Sequence, residues 1–361
     1  MYRISFCTAI RNRLHHLRQT LKQNIEDNYN YLELQFVILD YNSDDGLFEW
    51  VRTEMSFYLS SGKVVYYRTE DAAFFDRSHS RNLAFKLAEG DIIFNIDADN
   101  FIGKNFAYYV NSLFESNPRI FITSGKLGTR IRPDFLGRIG VFKSDFLAVG
   151  GYDEKMDGYG FEDTDLINRL ARYGLSQYKV NHKPFFRAIF HSDEERILEE
   201  RKMKLIERLY ISHITPSESA VILLFCDNKF QKGRIVNKGT QYSQESSRAV
   251  NNRKTTDQFT LSETDWQTGN WFIEKGRLTL SLDNNNVFFK VQRRGLLGEN
   301  GQQFFWATDP AIINNIIMFN SQFSNKKRMK DNRLKEIGNT GIWGQGHVSK
   351  NHDTVKMIPV I

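Results

Sequence analysis

Apolar and polar positions fall into short alternating blocks over residues 1–125. Tyr2–Thr8 is an apolar run that predicts a strand. Leu14, Leu17, Leu21 and Ile25 recur at helical spacing and predict a helix to about Asn28. Leu34–Asp40 is largely apolar and ends on an acid, as a strand buried on both faces would. The turn Asn42-Ser43-Asp44-Asp45-Gly46 follows, then a helix over Leu47–Leu59, a strand over Val64–Tyr67, a helix over Ser78–Ala88 and a strand over Asp91–Ile96. Strands alternating with helices predict an α/β class domain with a parallel sheet and right-handed crossovers. Ligands of such sheets bind outside the carboxyl ends of the strands. Thr8, Asp40 and Asp97, which close three of these strands, are therefore the first positions to inspect.

The pattern then changes twice. Glycines punctuate the next segment (Gly125, Gly128, Gly137, Gly140, Gly150, Gly151, Gly158, Gly160). Glu162–Tyr173 follows as a helix with Leu166, Leu170 and Ala171 on one face, and Glu194–Ile211 reads as a charged amphipathic helix. Thr215-Pro216-Ser217 interrupts this, and the composition moves toward Asn, Gln, Ser and Lys, which places a domain boundary near 213–220. The expected organisation is an α/β domain over 1–215 and a smaller β-rich domain over 220–361. Strands are expected at Trp271–Ile273, Arg277–Leu282 and Val287–Gln292, the last two joined by a hairpin turn at Asp283-Asn284-Asn285-Asn286.

Composition sharpens this picture in three ways. Hydrophobic residues at 40% and aromatics at 14% of 361 residues are enough to build cores, which excludes global disorder. The net charge of +6 is unevenly spread: residues 1–200 hold 25 basic and 29 acidic side chains, residues 201–361 hold 24 and 14. The second part is thus expected to offer a basic surface, with Lys326-Lys327-Arg328-Met329-Lys330 as its densest cluster. Two cysteines, Cys7 and Cys226, exclude a disulfide scaffold or a four-cysteine zinc site, and their apolar neighbours point to buried thiols. No run of about 18 apolar residues is present, and Met1–Phe6 lacks the features of a signal peptide, so the cytoplasm is the expected compartment.

Four motifs carry candidate chemistry. Ile96-Asp97-Ala98-Asp99 sets two carboxylates one residue apart at a strand end, where hard oxygen donors suit Mg²⁺ or Mn²⁺; the same spacing also occurs in solvated turns. Gly158-Tyr159-Gly160-Phe161-Glu162-Asp163-Thr164-Asp165 puts three acids at a glycine-loosened helix start. They suit the positive end of the helix dipole, and one of them equally suits the role of a general base. Arg11-Asn12-Arg13, with Arg77 and Arg81, offers forked donors for a pyrophosphate. His191, after the apolar segment 185–190, is either a structural residue or a metal ligand.

The order of these motifs resembles a known family. Arg11-Asn12-Arg13-x-x-His16-Leu17, a strand ending in Asp40, Arg77 and Arg81-Asn82, Asp97-x-Asp99, Gly150-Gly151-Tyr152-Asp153-Glu154, Gly158-Tyr159-Gly160-x-Glu162-Asp163-x-Asp165 and His191 together look like inverting GT-A glycosyltransferases. The β-1,4-galactosyltransferase group and the family 2 domains of chondroitin-type polymerases are the most similar, over about residues 1–212. The resemblance implies a Rossmann-like mixed sheet flanked by helices. It further implies that Ala9, Arg11 and Arg13 line a uridine pocket with Asp40, that Arg77 and Arg81 contact the nucleotide or its diphosphate, and that Asp97 contacts the nucleotide or ribose. Asp99 and His191 would hold Mn²⁺ or Mg²⁺. Asp163 would be the base that deprotonates the acceptor hydroxyl, with Glu162 beside it in the catalytic pair, and Tyr159, Gly160 and Thr164 would shape the sugar sites. Two positions depart from the pattern: Ala188 stands where the galactosyltransferases have a methionine ligand, and Thr164 where they have an acid after the base.

The implied activity is metal-dependent inverting transfer from a UDP-sugar, with galactose or N-acetylgalactosamine the implied sugar, to a glycan or lipid-linked glycan. A carbohydrate-binding protein that has lost catalysis is the alternative. A nucleotidyltransferase would carry a glycine-rich triphosphate loop, which is not seen near Thr8–Arg13. Trp266, Trp271, Trp306 and Trp343 all fall in the second part, where they suit either its own core or stacking on sugar rings. The loop 341–347 around Trp343 suits a cover over a site. The basic balance there suits an anionic glycan, a neighbouring subunit or peripheral contact at the inner face of a membrane; with no reader motif, no nucleic acid is expected.

Overall fold

The structure is a computed structural model that describes residues 1–125, 137–215, 218–237, 259–261, 266–283, 285–333, 339 and 341–361. The chain divides into two compact units. One comprises Met1–Ser192 and Asn325–Ile361, the other Asp193–Ser324.

The first unit is built on β1 (Ile4–Ile10), β2 (Leu34–Tyr41), β3 (Val64–Thr69), β4 (Ile92–Asn95), β5 (Asn100–Phe101), β6 (Ile120–Ser124), β7 (Ile139–Phe142), β8 (Ser176–Val180) and β9 (Arg187–Ala188). Its helices are α1 (Leu14–Asp27), α2 (Leu47–Glu54), α3 (Ser56–Ser60), α4 (Arg77–Leu87), α5 (Phe106–Ser116), α6 (Lys143–Ala148) and α7 (Glu162–Arg172). Successive residues of a strand face opposite sides, and both sides are apolar here. Phe6, Phe36 and Ile38 pack with Leu14, Leu17, Leu21 and Ile25 of α1 in one core. Cys7, Val37 and Leu39 pack with Leu83, Ala84 and Phe85 of α4 in the other. Burial on both faces is what a parallel sheet covered by helices requires.

Strands β1 to β4 are mutually parallel, with Phe6 opposite Phe36 on one side and Phe94 on the other. The sheet is mixed rather than wholly parallel, because β7 runs antiparallel to both β4 and β6. The carboxyl ends of β1, β2 and β4 still share one edge, as expected for a ligand site. A separate two-stranded ribbon pairs Asn100 of β5 with Ala188 of β9, which carries the segment before His191 to the acids after β4.

The second unit comprises short helices α8 (Asp193–Ile197) and α9 (Arg201–Leu205), then β10 (Ile206–Thr215), β11 (Glu218–Phe225), β12 (Lys229–Asn237), β13 (Phe259–Leu261), β14 (Gln267–Glu274), β15 (Arg277–Ser281), β16 (Asn286–Gln292), β17 (Gly295–Gly298) and β18 (Gln303–Ala307). Its strands form one antiparallel sheet whose ends meet through β11 and β12, a barrel-like closure. Tyr210, Ile222, Leu224, Phe230, Trp271, Leu280, Phe289 and Phe304 form its core. Helix α10 (Pro310–Asn332) begins in this unit and ends in the first. The chain then adds β19 (Gly346–Lys350) and β20 (Asp353–Val360) to the first unit's sheet, β19 running antiparallel to β3.

Several expectations change. The helix expected over Glu194–Ile211 is two short helices followed by a strand, since Leu209, Tyr210 and Ile211 pair with β18 and β11. Its charged residues gave it a helical look, while its β-branched and aromatic end belongs to a sheet. The boundary near 213–220 instead falls in the turn between the paired strands β10 and β11, and residues 325–361 belong with the α/β unit. Pro216, Ser217, Gly128 and Asn284 lie outside the described residues. Cys7 is buried, whereas Cys226 is exposed. No helix among the described residues is long and apolar enough to cross a membrane.

Candidate active site

Three carboxylates and one arginine meet beyond the carboxyl end of β4. Arg81, on the buried face of α4, donates from Nη1 to Asp163 at 3.0 Å and to Glu162 at 3.3 Å, and from Nη2 to Asp97 at 3.5 Å. Its guanidinium lies over the Tyr152 ring, 5.4 Å from the centroid. One cation facing three acids leaves net negative charge, and the acids respond unequally. Burial, reinforced by Glu162 and Asp97 and opposed by Arg81, pushes the Asp163 carboxyl up to about 7. Asp97 is held below the usual carboxylate range despite its burial, by Arg81 and by the amide of Asn95, which donates to it at 3.0 Å. Asp163 retains 23% side-chain exposure against 5% for Glu162, so Asp163 is the member that reaches outward. Gly137 backs the cluster: a Cβ there would stand 3.1 Å from Arg81 and from Asp163.

The local backbone explains how the two acids reach this point. Gly158, Gly160 and Phe161 all take positive φ, at 78°, 105° and 70°. The chain therefore enters α7 through a left-handed turn that two glycines make cheap. Glu162, Asp163 and Asp165 then occupy the first turn, at the positive end of the helix dipole. Asp165 faces the opposite way, accepting from Arg169 at 2.8 Å with both side chains buried, so it is the acid that serves the helix. Thr164 is exposed on the same turn, and Tyr159 carries the guanidinium of Arg77 5.1 Å from its ring centroid.

Asp99 lies two residues past Asp97 and meets His191 across the β5–β9 ribbon. His191 Nε2 is 3.0 Å from Asp99 Oδ2, and His191 Nδ1 is 3.2 Å from the Ser192 carbonyl. Both partners are acceptors, while a neutral imidazole donates only once. An oxygen and a nitrogen donor this close can share one divalent cation. Ala188 offers no side-chain donor to this pair.

The remaining expected residues are arranged around the same edge in other ways. Arg11 donates to the carbonyls of Tyr41 (3.1 Å), Ala72 (2.9 Å) and Ala73 (3.0 Å), tying the end of β2 to the segment before α4. Arg13 starts α1, its carbonyl accepting from His16 and Leu17. Ala9 pairs with Leu39 within the sheet. Asp40 is enclosed: Tyr66 Oη (2.6 Å), Arg68 Nη1 (2.8 Å) and the Ser43 amide (2.7 Å) donate to its carboxylate. Arg77 opens α4 beside Phe75, after an Asp76 cap that accepts from the His79 amide. The structure thus brings together Arg81, Asp97, Glu162 and Asp163, and separately Asp99 and His191, while Asp40 and Arg11 bind the scaffold.

Several residues at the site carry no motif of their own. Arg138, fully buried, donates to Asn100 Oδ1 at 2.6 Å and to the carbonyls of Phe101 and Phe185, so it locks the ribbon that aligns His191. Asn82 holds Tyr152 through both its backbone amide and its carbonyl. The C-terminal segment reaches the same motif. Arg328 and Asn332 donate to the buried carboxylate of Asp153, and Asn339 donates to the carbonyl of Gly150. Trp343 packs with Phe146 and beneath Lys86, and so is a staple of the second core of this unit rather than a cover. An isolated buried Arg or Asn gives no periodic signal in the sequence.

Residues 5–136 match the family model described as glycosyl transferase family 2, and residues 126–192 match the one described as the N-terminal domain of galactosyltransferase. Human chondroitin sulfate synthase 3 is 31% identical over 105 residues, covering 25% of this chain and 12% of that protein, so the likeness spans a small part of that relative's length. Among solved structures, a mannosyltransferase from Pyrobaculum calidifontis, in complex with GDP-Man and Mn²⁺, has a TM-score of 0.41 at 18% identity over 50% of this chain and 55% of that one. GalNAc-T7 with UDP, GalNAc and Mn²⁺ has a TM-score of 0.41 at 11% identity over 86% and 80%.

Proposed function

We propose that this chain, whose residues 5–136 and 126–192 match two glycosyltransferase family models, is a glycosyltransferase of GT-A fold that moves a hexose from a UDP-sugar to a hydroxyl of a glycan with inversion at the anomeric carbon. The donor sugar in this reading is galactose or N-acetylgalactosamine, and the acceptor a growing or lipid-linked glycan. The observation that carries the reading is the unequal pair on α7: Asp163 is partly open and pushed up to about 7, while Glu162 beside it is buried against Arg81.

A base for a sugar hydroxyl works best when its pKa lies near the working pH. Asp163 takes the proton of the acceptor hydroxyl as that oxygen bonds to the anomeric carbon. The bond from that carbon to the UDP oxygen breaks, and its electron pair leaves with UDP. No protein nucleophile intervenes, so one displacement inverts the centre. Arg81 acts as a positioning residue, because it donates to Asp97, Glu162 and Asp163. Arg77, beside Tyr159 at the start of α4, is assigned to the diphosphate, and Asp97 to the ribose. Arg11 and Asp40 set the shape of the uridine pocket through the strand ends they bind, with Ala9 and Arg13 at its floor. Tyr159, Gly160 and Thr164 border the sugars. Asp99 and His191 would hold Mn²⁺ or Mg²⁺, which when bound stabilises the charge growing on the diphosphate.

The deciding experiment is a screen of UDP-sugars with and without Mn²⁺, reading UDP release and the anomeric configuration of the product. Release from one donor with a β-linked product is expected. Glycan binding with no release from any donor, unaffected by Asp163→Asn, would establish a binding protein instead.

A further inference from the structure

The loop that presents Tyr159 and Asp163 is held from outside its own sequence neighbourhood. Asn325, in α10 and only 1% exposed, donates from one amide nitrogen to the carbonyl of Gly160 at 2.9 Å and to that of Gly158 at 3.3 Å. These carbonyls flank Tyr159, in the left-handed segment that precedes Glu162 and Asp163. One turn further along the same helix face, Arg328 donates to Asp153 at 2.6 and 2.9 Å. Asn332 then donates to Asp153 at 2.7 Å and to Asp165 at 3.0 Å. The spacing 325, 328, 332 is that of one helix stripe. All these contacts lie within the first unit, although Asn325 follows His191 by more than a hundred residues.

We propose that Asn325 is a positioning residue for transfer, a clamp that fixes the 158–163 loop so that Asp163 and Tyr159 meet the acceptor in a productive geometry. The chemistry fits this role. A carboxamide can hold two carbonyls that a left-handed turn points the same way. Two glycines make the turn accessible but do not select it, because glycine samples both signs of φ readily. Selection has to come from outside the loop, and the buried amide provides it. A base displaced by about 1 Å from its proton costs on the order of a hundredfold in rate, so a clamp of this kind acts on turnover more than on donor affinity.

The inference rests on the role proposed for Asp163, and its test separates the two. In the full chain, Asn325→Ala is expected to lower kcat for transfer by about tenfold to a hundredfold. Its UDP dissociation constant should stay within about twofold of wild type, and amide exchange should quicken over 157–163 alone. Lys326→Ala, on the exposed side of the same turn, is expected to behave as wild type. Two results overturn the proposal: turnover within twofold of wild type, or faster exchange spread across the whole unit with a lowered melting midpoint, which would make Asn325 a general stability residue. Where Asn325→Ala does not fold, Asn325→Ser, which keeps a donor but shortens its reach, is judged by the same criteria. Should the wild-type chain turn over no sugar nucleotide, the assigned activity fails, and the exchange measurement, which needs no substrate, still decides the clamp.

Discussion

At the scale of single residues, Asp163 carries the sharpest expectations. Its carboxyl is pushed from an ordinary 3.8 up to about 7, by burial first and then by Glu162 and Asp97, against the pull of Arg81. The folded chain therefore holds a proton there that the unfolded chain releases near pH 4. Folding stability should fall as pH rises between about 4 and 7, and that loss should be complete above the upper value. Asp163→Asn should remove this part of the slope, which melting curves at several pH values will measure. Turnover should move the other way, rising through the same interval as the base loses its proton. The same substitution should cost roughly two to four orders of magnitude in UDP release with acceptor present while leaving UDP binding intact. Near-wild-type release would remove Asp163 as the base. Asp99→Ala makes an independent claim. It should abolish the difference between UDP affinities measured with Mn²⁺ and with EDTA, and a difference that survives would relocate the metal.

At the scale of elements, the first turn of α7 and the last turns of α10 form one mechanical piece. Asp153 joins them, its carboxylate fully buried and held by Arg328 and Asn332. Asp153→Ala would leave the part-buried Arg328 and the buried Asn332 amide without their acceptor, a loss of about 1–3 kcal/mol in unfolding free energy by chemical denaturation. A loss below about 1 kcal/mol would show that solvent reaches the pair. Half of this piece was legible in the sequence. Glu162–Arg172 starts with three acids and repeats its apolar residues at helical spacing, so both its limits and its candidate base could be read. The strands β1 to β4 were equally plain, because burial on both faces makes them continuous apolar runs. Helix α10 was not legible as a partner. Its hydrogen bonds to the α7 region are made by Asn325, Arg328 and Asn332, polar residues whose acceptors lie far away in the chain. Its neighbours Lys326, Lys327 and Lys330 are solvent-facing and gave the segment the look of a basic surface.

At the scale of the whole molecule, the division into units redistributes the charge. The apparent contrast between an acidic first part and a basic second part depends on cutting the chain once. Cut as it folds, residues 193–324 hold 17 basic and 16 acidic side chains, and the other unit holds 32 and 27. The second unit is nearly balanced, so net charge alone gives it no claim on an anionic glycan or a membrane. The excess travels instead with residues 325–361, which return to the α/β unit. There Val348 is buried in the second core, and β19 covers the edge of β3, with Asn351 exchanging hydrogen bonds with the backbone of Tyr66. An uncovered strand edge invites pairing with other chains. A chain ending at Ser324 should therefore lose the α/β unit's cooperative melting transition, its UDP binding and its solubility together. Sedimentation and UDP titration of that truncated chain test this directly. If it sedimented and bound UDP as the full chain does, residues 325–361 would be an appendage, and the clamp assigned to Asn325 would lose its structural basis with them.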